Sequence, residues 1–202
     1  AAVILCPADT KPFTKENYQD IINVAHKHGA LVIFDEVISG FRISMGGMAE
    51  VLGLEPDLVT YGKVIGGGFP IGCYAGKEKY MDLVAPKGPV YQAGTLSANP
   101  VGVCAGLATL KKIKEQNIIE SLNKKTQIFC DNLNTALKQT LFQVTYKGSL
   151  FWIHKKSSSA INSVGDFPDG MVEAYNQLFK KLLVKGVYLA PSAYEVSFMS
   201  HA

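Results

Sequence analysis

The sequence predicts an α/β fold, with a mostly parallel sheet in a larger first domain and a smaller α+β domain behind it. Three observations carry that expectation. Two short apolar runs, "ALVIFDE" (30–36) and "DLVTYGK" (57–63), end in charged residues, as strands do where their carboxyl ends open onto a site. Helical or loop segments separate the apolar runs, which is the alternation of parallel α/β proteins. Near residue 115 the character changes to alternating residues and further helices, so 1–115 is assigned to the large domain and 116–202 to the small one.

Taken in order, Val3 to Leu5 reads as a strand already under way, with neither an initiator methionine nor a basic leader, so the chain is expected to be an internal segment of a longer protein. "TKENYQDIINVAHKHG" sets Tyr18, Ile21, Ile22 and Ala25 at helical spacing and stops at Gly29. "ALVIFDE" follows as a strand buried on both faces, and "IGCYAG" (71–76) as a further short strand. In "SANPVGVCAGLATLKKIKEQN", Asn99 is an N-cap with Pro100 in the first turn. A second amphipathic helix is expected over about 118–138, then a two-stranded or bent β element in "QVTYKGSLFWIHKK", and a polar loop. "MVEAYNQLFKKLLVKG" is a helix stopped at Gly186, and "VYLAP" closes as a strand.

The 202 residues are 48% hydrophobic and 18% charged with a net charge of +3, enough apolar material for a real core and no electrostatic footprint for nucleic acid. No run approaches the roughly 18 apolar residues of a membrane span, and a cytoplasmic location is expected. Cys6, Cys73, Cys104 and Cys130 are too far apart for a zinc or disulfide framework and are read as buried free thiols. His26 and His28 stand two apart on a helix and point in different directions, so no shared metal is expected.

The chemistry gathers around "YGKVIGGGFP" (61–70), where Lys63 precedes a run of three glycines. Glycines there cost conformational entropy, so a sharp turn or a close backbone approach is implied. Singly, each feature has a bland explanation: a solvated lysine, an aspartate capping a helix, a plain turn at "AGTLS". Together they suit one arrangement. A lysine at a strand end, made nucleophilic by losing solvation, condenses with an aldehyde, and an acid at a neighbouring strand end holds a protonated pyridine nitrogen. Hydroxyls and backbone NH groups in "GTLSANP", just before a helix, suit a phosphate. A nucleotide-binding phosphate loop fits poorly, because the lysine precedes the glycines and no Ser or Thr follows it.

"LVIFDEVISGFR", "LVTYGKVIGGGFPIG", "GPVYQAGTLSANP" and "GVYLAPSAYE", in that order between about residues 30 and 200, resemble the class III aminotransferases, pyridoxal-phosphate-dependent transferases of fold type I. The resemblance implies that Lys63 is the Schiff-base lysine and that Asp35 holds the pyridine nitrogen. Val37 would lie against the ring face, and Thr95 would bind cofactor phosphate across the interface of a homodimer. Glu36 and Arg42 are taken as structural, the arginine as the ion-pair partner of a buried acid. Glu195 stands where members that use external glutamate usually need an arginine, since an acid there repels a carboxylate. It is therefore assigned to substrate binding in a branch that moves an amino group within one molecule, starting from the pyridoxamine 5′-phosphate form.

Cys6 occupies the place where the family usually has the acid of a Glu-Pro pair, and the amino-terminal half of the family's fold is not represented in this chain. Two other readings follow. One is a class III aminotransferase acting on an ω-amine or amino sugar, and the other is a truncated homologue that serves as a non-catalytic interaction module.

Overall fold

The computed structural model describes residues 1–7, 14–159, 161 and 163–201, which form two compact units, Ala1–Ile119 and Glu120–Ala202. In the first, strands β1 (Ala2–Leu5), β2 (Leu31–Asp35), β3 (Leu58–Tyr61) and β4 (Cys73–Gly76) make one sheet in that order. The first three are parallel, with Leu5 opposite Phe34 and Asp35 opposite Thr60, and β4 is antiparallel to β3.

Helix α1 (Lys15–Lys27) begins at Thr14, whose hydroxyl accepts from Asn17 N while the Asn17 side chain accepts from Thr14 N, and its end is turned by Gly29 at φ 69°. Its apolar stripe of Tyr18, Ile22 and Ala25 packs on Val32 and Phe34 of β2 and on Ala49 and Leu54, at and just after α2 (Gly47–Leu52). Strand β2 is thus fully buried only on its α1 face. Leu31 and Ile33, on the other face by the two-residue alternation, are half-buried, a correction to the two-sided burial expected.

The N-terminal end of β3 is fixed by Asp57, which is 2% exposed. Its Oδ2 lies 2.7 Å from His26 Nε2 and accepts from Val32 N at 2.9 Å, and its Oδ1 accepts from the Tyr80 hydroxyl and lies 3.7 Å from Lys77 Nζ. Burial pushes this carboxyl up, but the bonds from Val32 and His26 and the neighbouring cations outweigh it and leave the carboxyl below its ordinary value.

The short helix α3 (Glu78–Met81) follows β4. Helix α4 (Pro100–Glu115) starts as expected, with Asn99 Oδ1 accepting from Gly102 N at 2.8 Å and Pro100 in the first turn. It packs against the 3₁₀ turn Lys63–Gly66.

In the second unit, α5 (Ile118–Ala136), which enters it at Glu120, and α6 (Met171–Val184) pack on a three-stranded antiparallel sheet of β5 (Phe142–Lys147), β6 (Leu150–Lys155) and β7 (Ser197–Phe198). Along β6 the side chains alternate: Phe151 and Ile153 join Cys130 and Leu133 of α5, while Trp152 joins Met171 and Tyr175 of α6. The helices therefore cover opposite faces. Asn134 bonds both the NH and the C=O of Val144 at 2.8 Å, a side chain supplying β5 with a partner.

Two further expectations are corrected. "VYLAP" forms no strand: Val187 N closes the end of α6 on Leu182 O, and Ala190 O accepts from the Tyr175 hydroxyl, so its backbone groups serve a loop. The closing strand lies later, at Ser197–Phe198. Of the cysteines only Cys130 is buried; Cys6, Cys73 and Cys104 are exposed, and all four are free. Burial pushes the Cys130 thiol up to about 11, which makes it inert at neutral pH. Among the described residues no cluster of His, Cys, Asp and Glu could hold a metal, and no helix is long and apolar enough to cross a membrane.

Candidate active site

Asp35 ends β2 and Lys63 follows the end of neighbouring β3, so the first unit brings both to the carboxyl edge of its parallel strands. Asp35 is half-buried. Its Oδ1 accepts from Val37 N and from the Thr60 hydroxyl, each at 3.1 Å, and its Oδ2 accepts no hydrogen bond among the described residues. That is an acceptor held in place with one oxygen to spare.

Lys63 is reached through Gly62 and has a left-handed backbone, φ 48°. For a residue with a Cβ this is strained by roughly 1–2 kcal/mol, and such strain concentrates at functional sites. Its side chain is exposed, with no hydrogen bond or ion pair among the described residues, so the loss of solvation expected for it is not found within this chain.

The surrounding glycines have distinct tasks. A Cβ on Gly62 would stand 3.3 Å from Val37 Cγ1, so glycine here lets the lysine's chain pass beside Val37. Gly67, at φ 58°, lies against Ala105 and Thr109 of α4, and Gly106 of α4 lies against Ile65 O. The glycines therefore press the turn after Lys63 onto α4, a close approach that larger residues would block.

Glu36, fully buried, points elsewhere. Its carboxylate accepts from the Ser39 hydroxyl and from Met48 N and Ala49 N at 2.9 and 2.8 Å, capping the amino end of α2. Arg42 is half-buried, and its guanidinium is pulled below its ordinary value by burial.

Thr95 sits in the exposed segment 91–98, with no hydrogen bond to the strand ends among the described residues. Glu195, in the second unit, is exposed on a turn whose backbone is anchored by Trp152 Nε1 donating to Ala193 O at 2.8 Å. At the family's Glu-Pro position, Cys6 is exposed just past the end of β1 and Pro7 beside it is buried, while the residues that follow, 8–13, lie outside the described residues.

Sequence reasoning missed Thr60, whose hydroxyl reaches Asp35 only because the register sets the two side by side. It also missed the Asp57 network, for which a buried aspartate before an apolar run was the available signal.

The sequence profile described as aminotransferase class-III matches residues 8–200, and the chain belongs to that family. Among curated relatives, the glutamate-1-semialdehyde 2,1-aminomutase of Leptospira interrogans is 52% identical over 191 residues, covering 93% of this chain and 43% of the relative. The enzyme of the same name from Bdellovibrio bacteriovorus is 50% identical over 189 residues, covering 93% and 44%. Among solved structures, the β-phenylalanine aminotransferase of Variovorax paradoxus matches with a TM-score of 0.87 at 28% identity, covering 98% of this chain and 47% of that one. An omega-transaminase from Sphaerobacter thermophilus matches with a TM-score of 0.79 at 29% identity, with the same coverage. The chain thus spans less than half the length of the curated relatives it matches.

Proposed function

We propose that the protein is a pyridoxal-phosphate-dependent aminomutase of tetrapyrrole synthesis, converting glutamate 1-semialdehyde to 5-aminolevulinate by moving the amino group within one substrate. The observation that supports it most is the pairing of Asp35 and a strained Lys63 at adjacent strand ends, in a chain at 50–52% identity to relatives bearing that enzyme's name. The residues present fit the cofactor: Asp35 offers Oδ2 to a protonated ring nitrogen, and Lys63 has an amine engaged by nothing else among the described residues.

The cofactor, in its pyridoxamine form at the start of the cycle, would supply the donated amine and an electron sink. Asp35 holds the proton on the ring nitrogen, and Val37, beside Gly62, provides an apolar surface for a ring face. Lys63 takes and returns protons through Nζ, as general base and acid. Thr95 binds phosphate in the partner subunit's site, so the active form is a homodimer, placed in the cytoplasm. Glu195 acts on the substrate side, where its charge disfavours an external glutamate donor. Residues 1–115 belong to the cofactor-binding domain and 116–202 to the small domain.

A second reading, amino transfer to or from an ω-amine, is favoured by the likeness to the omega-transaminase and the β-phenylalanine aminotransferase. One experiment separates the two. Borohydride treatment with peptide mapping should fix the cofactor onto Lys63, and the protein should then convert glutamate 1-semialdehyde with no amine donor present. Turnover that requires an added donor would favour the second reading, and no cofactor band at all would leave the non-catalytic one.

A further inference from the structure

One residue ties the site's acid to the strand that carries its lysine. Thr60 of β3 accepts from Glu36 N at 2.9 Å through its carbonyl and donates to Asp35 Oδ1 at 3.1 Å through its hydroxyl. The second donor to Oδ1, Val37 N, comes from the loop that follows Asp35 itself, a local turn that holds the carboxylate only as firmly as that loop is held. Thr60 comes from the neighbouring strand, three residues before Lys63. Both donors take the same oxygen, which fixes the carboxylate and leaves Oδ2 unengaged among the described residues.

We propose that Thr60 is a positioning residue, whose hydroxyl holds the Asp35 carboxylate so that Oδ2 stays available to a protonated ring nitrogen. This rests on the reading of Asp35 as the acceptor for that nitrogen. A threonine serving only the strand would be replaced without loss by valine, which has the same shape, is also β-branched and lacks only the hydroxyl.

The test compares Thr60→Val, Thr60→Ser and Asp35→Asn in the holoenzyme. The readouts are the cofactor dissociation constant and the pH titration of the bound cofactor's absorbance. Thr60→Val should weaken cofactor binding by about five- to tenfold, the scale of one ordinary intramolecular hydrogen bond, and move the titration midpoint. Thr60→Ser should stay within about twofold of the parent, because the donor is kept. On an Asp35→Asn background, Thr60→Val should add little, since the two act as one unit. If Thr60→Val does not fold, Thr60→Ala against Thr60→Ser carries the same comparison.

A Thr60→Val protein with unaltered binding and titration, beside an impaired Asp35→Asn, overturns the proposal and leaves the reading of Asp35 intact. An Asp35→Asn protein unaltered in both readouts overturns that reading and the proposal with it.

Discussion

Asp35 and Asp57 sit at opposite ends of neighbouring parallel strands in one sheet, and they are provided for differently. Asp57, at the amino end of β3, has hydrogen-bond partners on both oxygens, from His26, Val32 and Tyr80, with Lys77 beside it. Asp35, at the carboxyl end of β2, has two donors on one oxygen and none, among the described residues, on the other. The difference separates structure from chemistry. A buried carboxylate with both oxygens engaged has little left with which to bind a ligand, whereas one that is anchored through a single oxygen is an acceptor in waiting. Lys63 repeats the pattern beside Asp35, with a strained backbone and an amine unengaged among the described residues, while Lys77 at the other end leans on an acid.

The comparison is tested hardest at the carboxyl edge. Lys63→Ala in the holoenzyme should cost on the order of 10³-fold or more in kcat while shifting the melting temperature little, because its side chain is exposed and bonds nothing among the described residues. Lys63→Gly should be equally inactive yet more stable than Lys63→Ala by about 1 kcal/mol, measured by denaturant unfolding, since only glycine takes φ 48° without strain. Equal stability of the two would remove strain from the account of this site.

At the amino edge the expected loss is of stability. Asp57→Ala should destabilise by about 2–4 kcal/mol through stranded donors, with the affinity for cofactor unchanged. Its pH dependence has a definite sign. The carboxyl is held below its unfolded value, so its contribution is complete above about pH 4 and disappears as the pH falls through the lower folded value. Acid unfolding of the Asp57→Ala protein should therefore show a shallower fall below about pH 4 than the parent. If Asp57→Ala instead abolished cofactor binding in a folded protein, the division of labour between the two ends would fail.

The smallest effect is expected at the helix caps. Asn99→Ala should cost about 1 kcal/mol by removing the acceptor for Gly102 N, and a thermal melt would resolve it.

Much of this was legible in the chain itself. Tyr18, Ile22 and Ala25 recur at helical spacing, and Gly29, Asn99 and Gly186 mark helix ends by the backbone angles or side-chain bonds they alone favour, so those elements lie close to where periodicity put them. "VYLAP" misled because an apolar β-prone run is a strand only if another strand accepts its hydrogen bonds, and here Tyr175 and Leu182 take part of that backbone instead. The cysteines misled because apolar character describes a residue's preference and not its place.

By itself, then, the sequence determined the local alternatives: which segments coil, where glycine permits a left-handed turn, and which acid and lysine follow apolar strands. Those are decided by side-chain shape and by contacts a few residues away. Only the tertiary structure decided that Asp35 stands opposite Thr60, that Gly67 lies against α4, and that, among the described residues, Asp57 is engaged on both oxygens and Asp35 on one. Each depends on strand register and on partners tens of residues distant, and register is settled by the burial of whole faces at once.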